Sequence, residues 1–212
     1  MSQNISGFTL NSSSIFQGKI LSLRSQNYKY TDMTNTDHQF DQAAAICRDI
    51  FSKKMKDYGV SWRIMRTRSV TDQIFIKANR IRSIEIKGVS KVDEGIRSEL
   101  IGIINYGIIG LIQLELGVSD ADDLSPEQTM SLYNRYMQAA KDLMSAKNHD
   151  YDEAWRLMRM ESYTDLILMK INRTRQIEDN AGQTLVSEGI DANYFDMINY
   201  AMFGLIKMEE NS

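Results

Sequence analysis

Residues 100–117 read LIGIINYGIIGLIQLELG, an apolar run whose chief interruptions are Asn105, Gln113 and Glu115. A helix packed on one side shows a single apolar stripe, whereas one that is apolar around most of its circumference belongs inside. The run is roughly long enough to cross a bilayer. Its polar interruptions, and Asp196 and Lys207 in a similar segment further on, argue instead for a buried core helix. Two more helices are expected ahead of each core segment. The first covers about 40–56 and again 126–148, where Ser125-Pro126-Glu127 puts proline early and an acid in the first turn. The second begins at Thr71 and at Thr164, each threonine ahead of an aspartate as a cap. The third starts near Glu94 and Glu188, with Gly88 and Gly182 marking the loops before it.

These elements recur because the chain is duplicated. DYGVSWRIMR from Asp57 returns as DYDEAWRLMR from Asp150, and TDQIFIKANRIRSIE from Thr71 as TDLILMKINRTRQIE from Thr164. The shift is constant (147 − 54 = 93) until one residue is added in the next loop (188 − 94 = 94). Two copies, rather than many, predict a pseudo-two-fold pair in which each unit covers the other's apolar face, as subunits of a homodimer would. The expected fold is all-α: duplicated three-helix units, 40–118 and 119–212, forming one helical bundle. Residues 1–39, rich in Ser and Asn and unlike a signal peptide, read as a disordered tail, or as an extension upstream of a start at Met33.

Composition narrows the function classes. With 42% hydrophobic and 25% charged residues, one Pro and 13 Met, the chain has the balance of a helical globular protein. A net charge of -3 gives no general attraction to nucleic acid or to anionic membranes. One cysteine, Cys47, forms no internal disulfide, His38 and His149 make no zinc pattern, and a cytoplasmic location is the simplest expectation.

The candidate chemistry lies on the repeated polar residues. Asn105 and Asn199 sit in apolar surroundings and need hydrogen-bond partners. Asp196 lies one turn before Asn199 on the same face, and Glu94 and Glu188 open the third helices. A carboxylate and an amide oxygen so spaced suit Mg²⁺, which takes few protein ligands. The expected metal set is Glu188, Asp196, Asn199 and Glu94, with Glu188 and Asp196 as the catalytic pair. An inter-helix hydrogen-bond network explains the same residues. Lys77 with Arg80, and Lys170 with Arg173, pair at i, i+3 and suit phosphate, or else nearby carboxylates. Lys54, Asp57 and Tyr58, with Lys147, Asp150 and Tyr151, come from the repeated phrase. Its phenols and the indoles of Trp62 and Trp155 suit stacking on a base, or sealing the junction between the first two helices. Polar residues are duplicated at least as often as apolar ones, which favours function over packing. Where the second copy has Asn193 and Asp196 the first has Glu99 and Gly102, so the carboxylates of a metal site belong mostly to the second copy.

The pattern K-x-x-D-Y, T-D, K-x-N-R, V-x-E-G-I and D-x-I-N-Y resembles a bacterial and phage family of unknown activity, the nucleotide-modification-associated domain, here in tandem from about residue 40 onward. Gly102 departs from it where an aspartate is expected. That family is similar in style to the all-α MazG and dimeric dUTPase type nucleoside triphosphate pyrophosphohydrolases, although the second helix here carries Lys and Arg where their acidic pair stands. The resemblance implies a Mg²⁺-dependent hydrolase of a nucleotide or modified nucleotide. The alternative is a non-catalytic helical module that binds a nucleotide or a protein, and a homo-oligomer is compatible with either.

Overall fold

The computed structural model describes the backbone of residues 12–89 and 95–210, with side chains from residue 35 onward. Among the described residues there are six α-helices and no strand: α1 (Ser12–Tyr58), α2 (Thr67–Lys87), α3 (Ile96–Leu116), α4 (Pro126–Tyr151), α5 (Met160–Asp179) and α6 (Ile190–Glu210). Two 3₁₀ turns, Ser61–Ile64 and Ala154–Leu157, join the first helix of each unit to the second. The expected all-α duplication is therefore what forms. Ser125 caps α4 through a reciprocal box with Gln128, with Pro126 in the first turn. Gly88 ends α2 in the left-handed conformation that a residue with a Cβ adopts only under strain.

Element boundaries differ from expectation in two places. α2 and α5 start four residues ahead of Thr71 and Thr164, and neither threonine is a cap. α1 extends upstream of residue 40, and Thr36 and Gln39, assigned above to a tail, pack on the second unit: Thr36 donates to Glu153 at 2.6 Å and Gln39 to Glu210 at 2.7 Å. Residues 1–11 lie outside the described ones.

α3 and α6 cross at the centre, and each is buried along most of its length. α3 is long and apolar enough to span a membrane, yet 72% of its apolar window is covered by the rest of the molecule. Close approach depends on small residues. A Cβ at Gly107 would stand 2.6 Å from the Ile198 side chain, and one at Gly110 would enter the Tyr194 ring. In a close-packed interior neither atom can move far enough to make room.

Contacts across the axis come in reciprocal pairs, the mark of an isologous interface. Arg82 pairs with Asp165 at 2.5 Å, and the equivalent Arg175 with Asp72 at 2.6 Å. Thr71 donates to Glu178 at 3.0 Å, and the equivalent Thr164 to Glu85 at 2.8 Å. The repeated Thr-Asp and Arg-x-x-Glu positions thus pair with each other. This corrects the expectation that duplicated polar residues signal function: a two-fold interface keeps its polar contacts in both halves.

Within each unit the arginine of the repeated phrase is bound to the end of the third helix. Gln113 donates to the carbonyls of Arg63 and Met65, at 2.9 and 2.5 Å. Lys207, its equivalent, donates to those of Arg156, at 2.9 Å, and Met158. Arg63 is 2% exposed and grips Asp123 with two nitrogens, both at 2.9 Å, which holds that carboxyl down at about 2. Trp155 stacks on Phe203 at 4.5 Å. The phrase is written twice because each unit needs this junction.

One reciprocal contact is broken. Asn105 donates to the Cys47 carbonyl and Asn199 to that of Ala140, each at 3.1 Å. Tyr133 of α4 donates to Asn105 Oδ1 at 2.8 Å, but its equivalent in α1 is Phe40, and Asn199 Oδ1 is buried with no partner. Supplying the hydroxyl in Phe40→Tyr should recover about 1 kcal/mol and raise the melting temperature by about 2–4 °C. A fall on calorimetry would mean that Phe40 does not face Asn199.

Glu85 and Glu178 yield a second test. Burial pushes both carboxyls above 4.5, with the threonine hydrogen bonds opposing. Their contribution to stability is full below the unfolded value and is lost as pH rises through the folded one. The double variant Glu85→Gln, Glu178→Gln escapes that loss. Its melting temperature relative to wild type should climb from about pH 4 to about pH 7, and a difference that stays flat would contradict it.

Candidate functional site

The two units place their cations alike and their acids differently. In the second unit Asp196, 6% exposed on α6, takes Lys147 of α4 on one oxygen at 2.6 Å and Lys170 of α5 on the other at 2.5 Å. This triad ties the three helices of the unit together. Burial alone would lower the Lys147 pKa; its hydrogen bond to Asp196, with the charges of Asp196, Tyr200 and Glu188, outweighs that and raises it. Lys147 is therefore an ammonium at neutral pH.

In the first unit the residue equivalent to Asp196 is Gly102, and the carboxylate comes from Glu99, one turn earlier on α3. Glu99 is buried and receives Arg80 and, at 3.3 Å, Lys77. Lys77 lies across Gly102, where a Cβ would meet its Cε at 2.6 Å. Lys54, equivalent to Lys147, is exposed and makes no ion pair with any described residue.

No carboxylate binds α1 to α3 among the described residues here, and a cleft of about 830 Å³ lies between the end of α1, the 3₁₀ turn, α2 and the start of α3. Its charged lining among the described residues is Lys54, Lys77 and Arg97 against Glu99 alone, a cationic excess in a chain of net charge -3. Arg97 at the rim also pairs with Glu209 at 2.7 Å. Tyr58, Trp62 and Tyr106 add aromatic surface, and Ile50, Phe51 and Ile109 an apolar floor. Burial, then the nearby Tyr106 and Asp57, push the Tyr58 phenol up, so it remains a neutral donor. Cys47 is no nucleophile: burial pushes its thiol up to about 12.

Of the sequence-predicted residues, the structure gathers Lys54, Tyr58 and Lys77 in the first-unit cleft, with Arg80 on Glu99 behind it. It gathers Lys147, Lys170 and Asp196 in the ion triad. Arg173, Asp57, Asp150 and Tyr151 are exposed, and Asp150 meets His149 at 3.3 Å. Glu188 is exposed in the loop before α6, and Glu94 lies outside the described residues. Expectation had placed the better site in the second unit because Gly102 lacks a carboxylate. The cleft lies in the first, with Gly102 in its lining. Arg97 was missed, and its equivalent Asp191 gives no signal in the repeat.

The expected Mg²⁺ set does not fit. Both oxygens of Asp196 are taken by ammonium groups, and Asn199 Oδ1 is shut in the core. Among the described residues no three His, Cys, Asp or Glu side chains stand together to hold a metal ion. A hard cation beside two lysines meets repulsion before it meets a ligand.

Asp196→Asn leaves Lys170 buried without a counter-charge. Unfolding in urea should show a loss on the order of 2 kcal/mol, less than for a fully enclosed pair because Lys147 is half exposed. A neutral result would show that the triad does not hold the second unit together.

Among curated proteins and solved structures, none matches the chain. A family model described as nucleotide modification associated domain 1 matches twice, over residues 54–114 and 147–208. The matches begin at the equivalent Lys54 and Lys147, one per unit, and cover more than half of the 212 residues. The chain therefore belongs to the nucleotide modification associated domain 1 family, as a tandem pair.

Proposed function

We propose that this chain is a nucleotide-binding module that takes a nucleotide or modified nucleotide in the first-unit cleft. The observation that carries this is the cleft's chemistry: three cations to one carboxylate among its described lining, beside two phenols and an indole, in about 830 Å³. Anchoring phosphates takes ammonium and guanidinium donors. Holding a base takes a flat apolar face with a polar edge, which Tyr and Trp supply. Sites for small ligands fall in this size range, with a mostly apolar lining and a few polar groups. The family's description supports the same ligand class.

Phosphoanhydride cleavage, the finer activity implied by resemblance, draws no support from Asp196, whose two oxygens are engaged by lysines. Binding itself needs no divalent ion, because the cleft supplies its own positive charge. In a thermal-shift panel of nucleoside mono-, di- and triphosphates, at least one class should raise the melting temperature of the full chain equally in Mg²⁺ and in EDTA. A ligand that binds only the folded state stabilises it by mass action. A flat panel would overturn the proposal; a rise confined to Mg²⁺, with pyrophosphate released, would restore the metal-dependent hydrolase.

A further inference from the structure

The geometry points to a division of labour between the units: Asp196 is a built-in anion in the second, standing where the first unit takes an anionic phosphate group of its ligand. This rests on the nucleotide reading and goes beyond it by naming the phosphate subsite as Lys54 and Lys77 above Gly102.

Lys54 and Lys77 are the equivalents of Lys147 and Lys170, and all four sit on corresponding turns of corresponding helices. In the second unit one carboxylate receives both ammonium groups, one on each oxygen, at 2.6 and 2.5 Å. In the first unit that carboxylate is gone with the whole side chain. Lys54 has no ion pair with any described residue, and Lys77 reaches sideways to Glu99 at the longer distance of 3.3 Å. A phosphate carries the same kind of oxygen as a carboxylate, and more of them, so it can bridge two ammonium groups as Asp196 does. Gly102 is what lets Lys77 lie over α3 at the edge of the cleft, its Nζ 3.0 Å from where a Cβ would stand. Any side chain there would displace Lys77, whose Cε lies within 2.6 Å of an added Cβ. The position borders the cleft, because Lys54, Lys77 and Gly102 all line it. A ligand phosphate between the two lysines therefore leaves the base toward Tyr58, Trp62 and Tyr106.

The test uses the full chain, inorganic pyrophosphate and the best nucleotide from the panel, with affinities from calorimetry where every variant is folded. Wild type should bind one pyrophosphate, more weakly as salt is raised. Gly102→Asp plants the missing carboxylate and should weaken pyrophosphate and nucleotide by about tenfold or more. Lys54→Ala, at an exposed position that poses little risk to folding, should do the same. Lys147→Ala should leave both affinities within about twofold of wild type. Nucleotide binding that survives Gly102→Asp and Lys54→Ala would overturn the subsite and leave the nucleotide reading standing. A wild-type chain that binds neither probe would overturn both. Loss of binding in Lys147→Ala alone would move the site to the second unit and reverse the division proposed here.

Discussion

The molecule depends on the crossing of α3 over α6. Both helices are apolar on nearly every side, so neither can rest at a surface, and each must be covered by its own unit on one side and by its twin on the other. Gly107 and Gly110 let the two come close enough for Ile198 and Tyr194 to fill the seam. That contact fixes the axis. The outer helices then have one arrangement in which Arg82 meets Asp165 while Arg175 meets Asp72, and in which each threonine finds the opposite glutamate. Apolar burial is non-directional and supplies most of the driving force, whereas the reciprocal polar pairs select the rotation and register.

Once that frame is set, the two halves need not be alike away from the axis, and the ionisable residues around the third helices show it. A carboxylate on α6 draws α4 and α5 inward through two lysines. On α3 the carboxylate has moved back one turn and serves α2 alone, and the cleft lies beside the end of α1. A shift of one helical turn in one acidic group thus distinguishes the unit with the closed ionic joint from the unit with the cleft.

The parts of this design that repeat were legible in the amino acids. The constant register between Lys54 and Lys147 shows the duplication directly. The apolar circumference around Asn105 and Asn199 places the third helices inside, and Ser125-Pro126 marks where α4 begins. Thr71 and Thr164 misled, since a threonine before an aspartate resembles a cap, but each hydroxyl is used four residues into its helix by a partner over a hundred or nearly eighty positions away. No local rule sees such a partner. Gly102 misled more deeply. Counting ligands along the chain makes a missing aspartate a lost site, whereas in three dimensions the missing side chain lets Lys77 lie across Gly102 at the border of a cleft. The family pattern, with its expected aspartate, reinforced the count.

The broken contact at Phe40 and Tyr133 has a wider consequence. Identical subunits around a true dyad would carry any change twice, so a substitution harmful at one face would be harmful at both. Covalent fusion removes that rule. One asparagine here keeps its hydroxyl partner while its twin goes without, and the fold absorbs a single penalty instead of a doubled one. Such a chain can specialise one flank at a time, which no assembly of like copies can do.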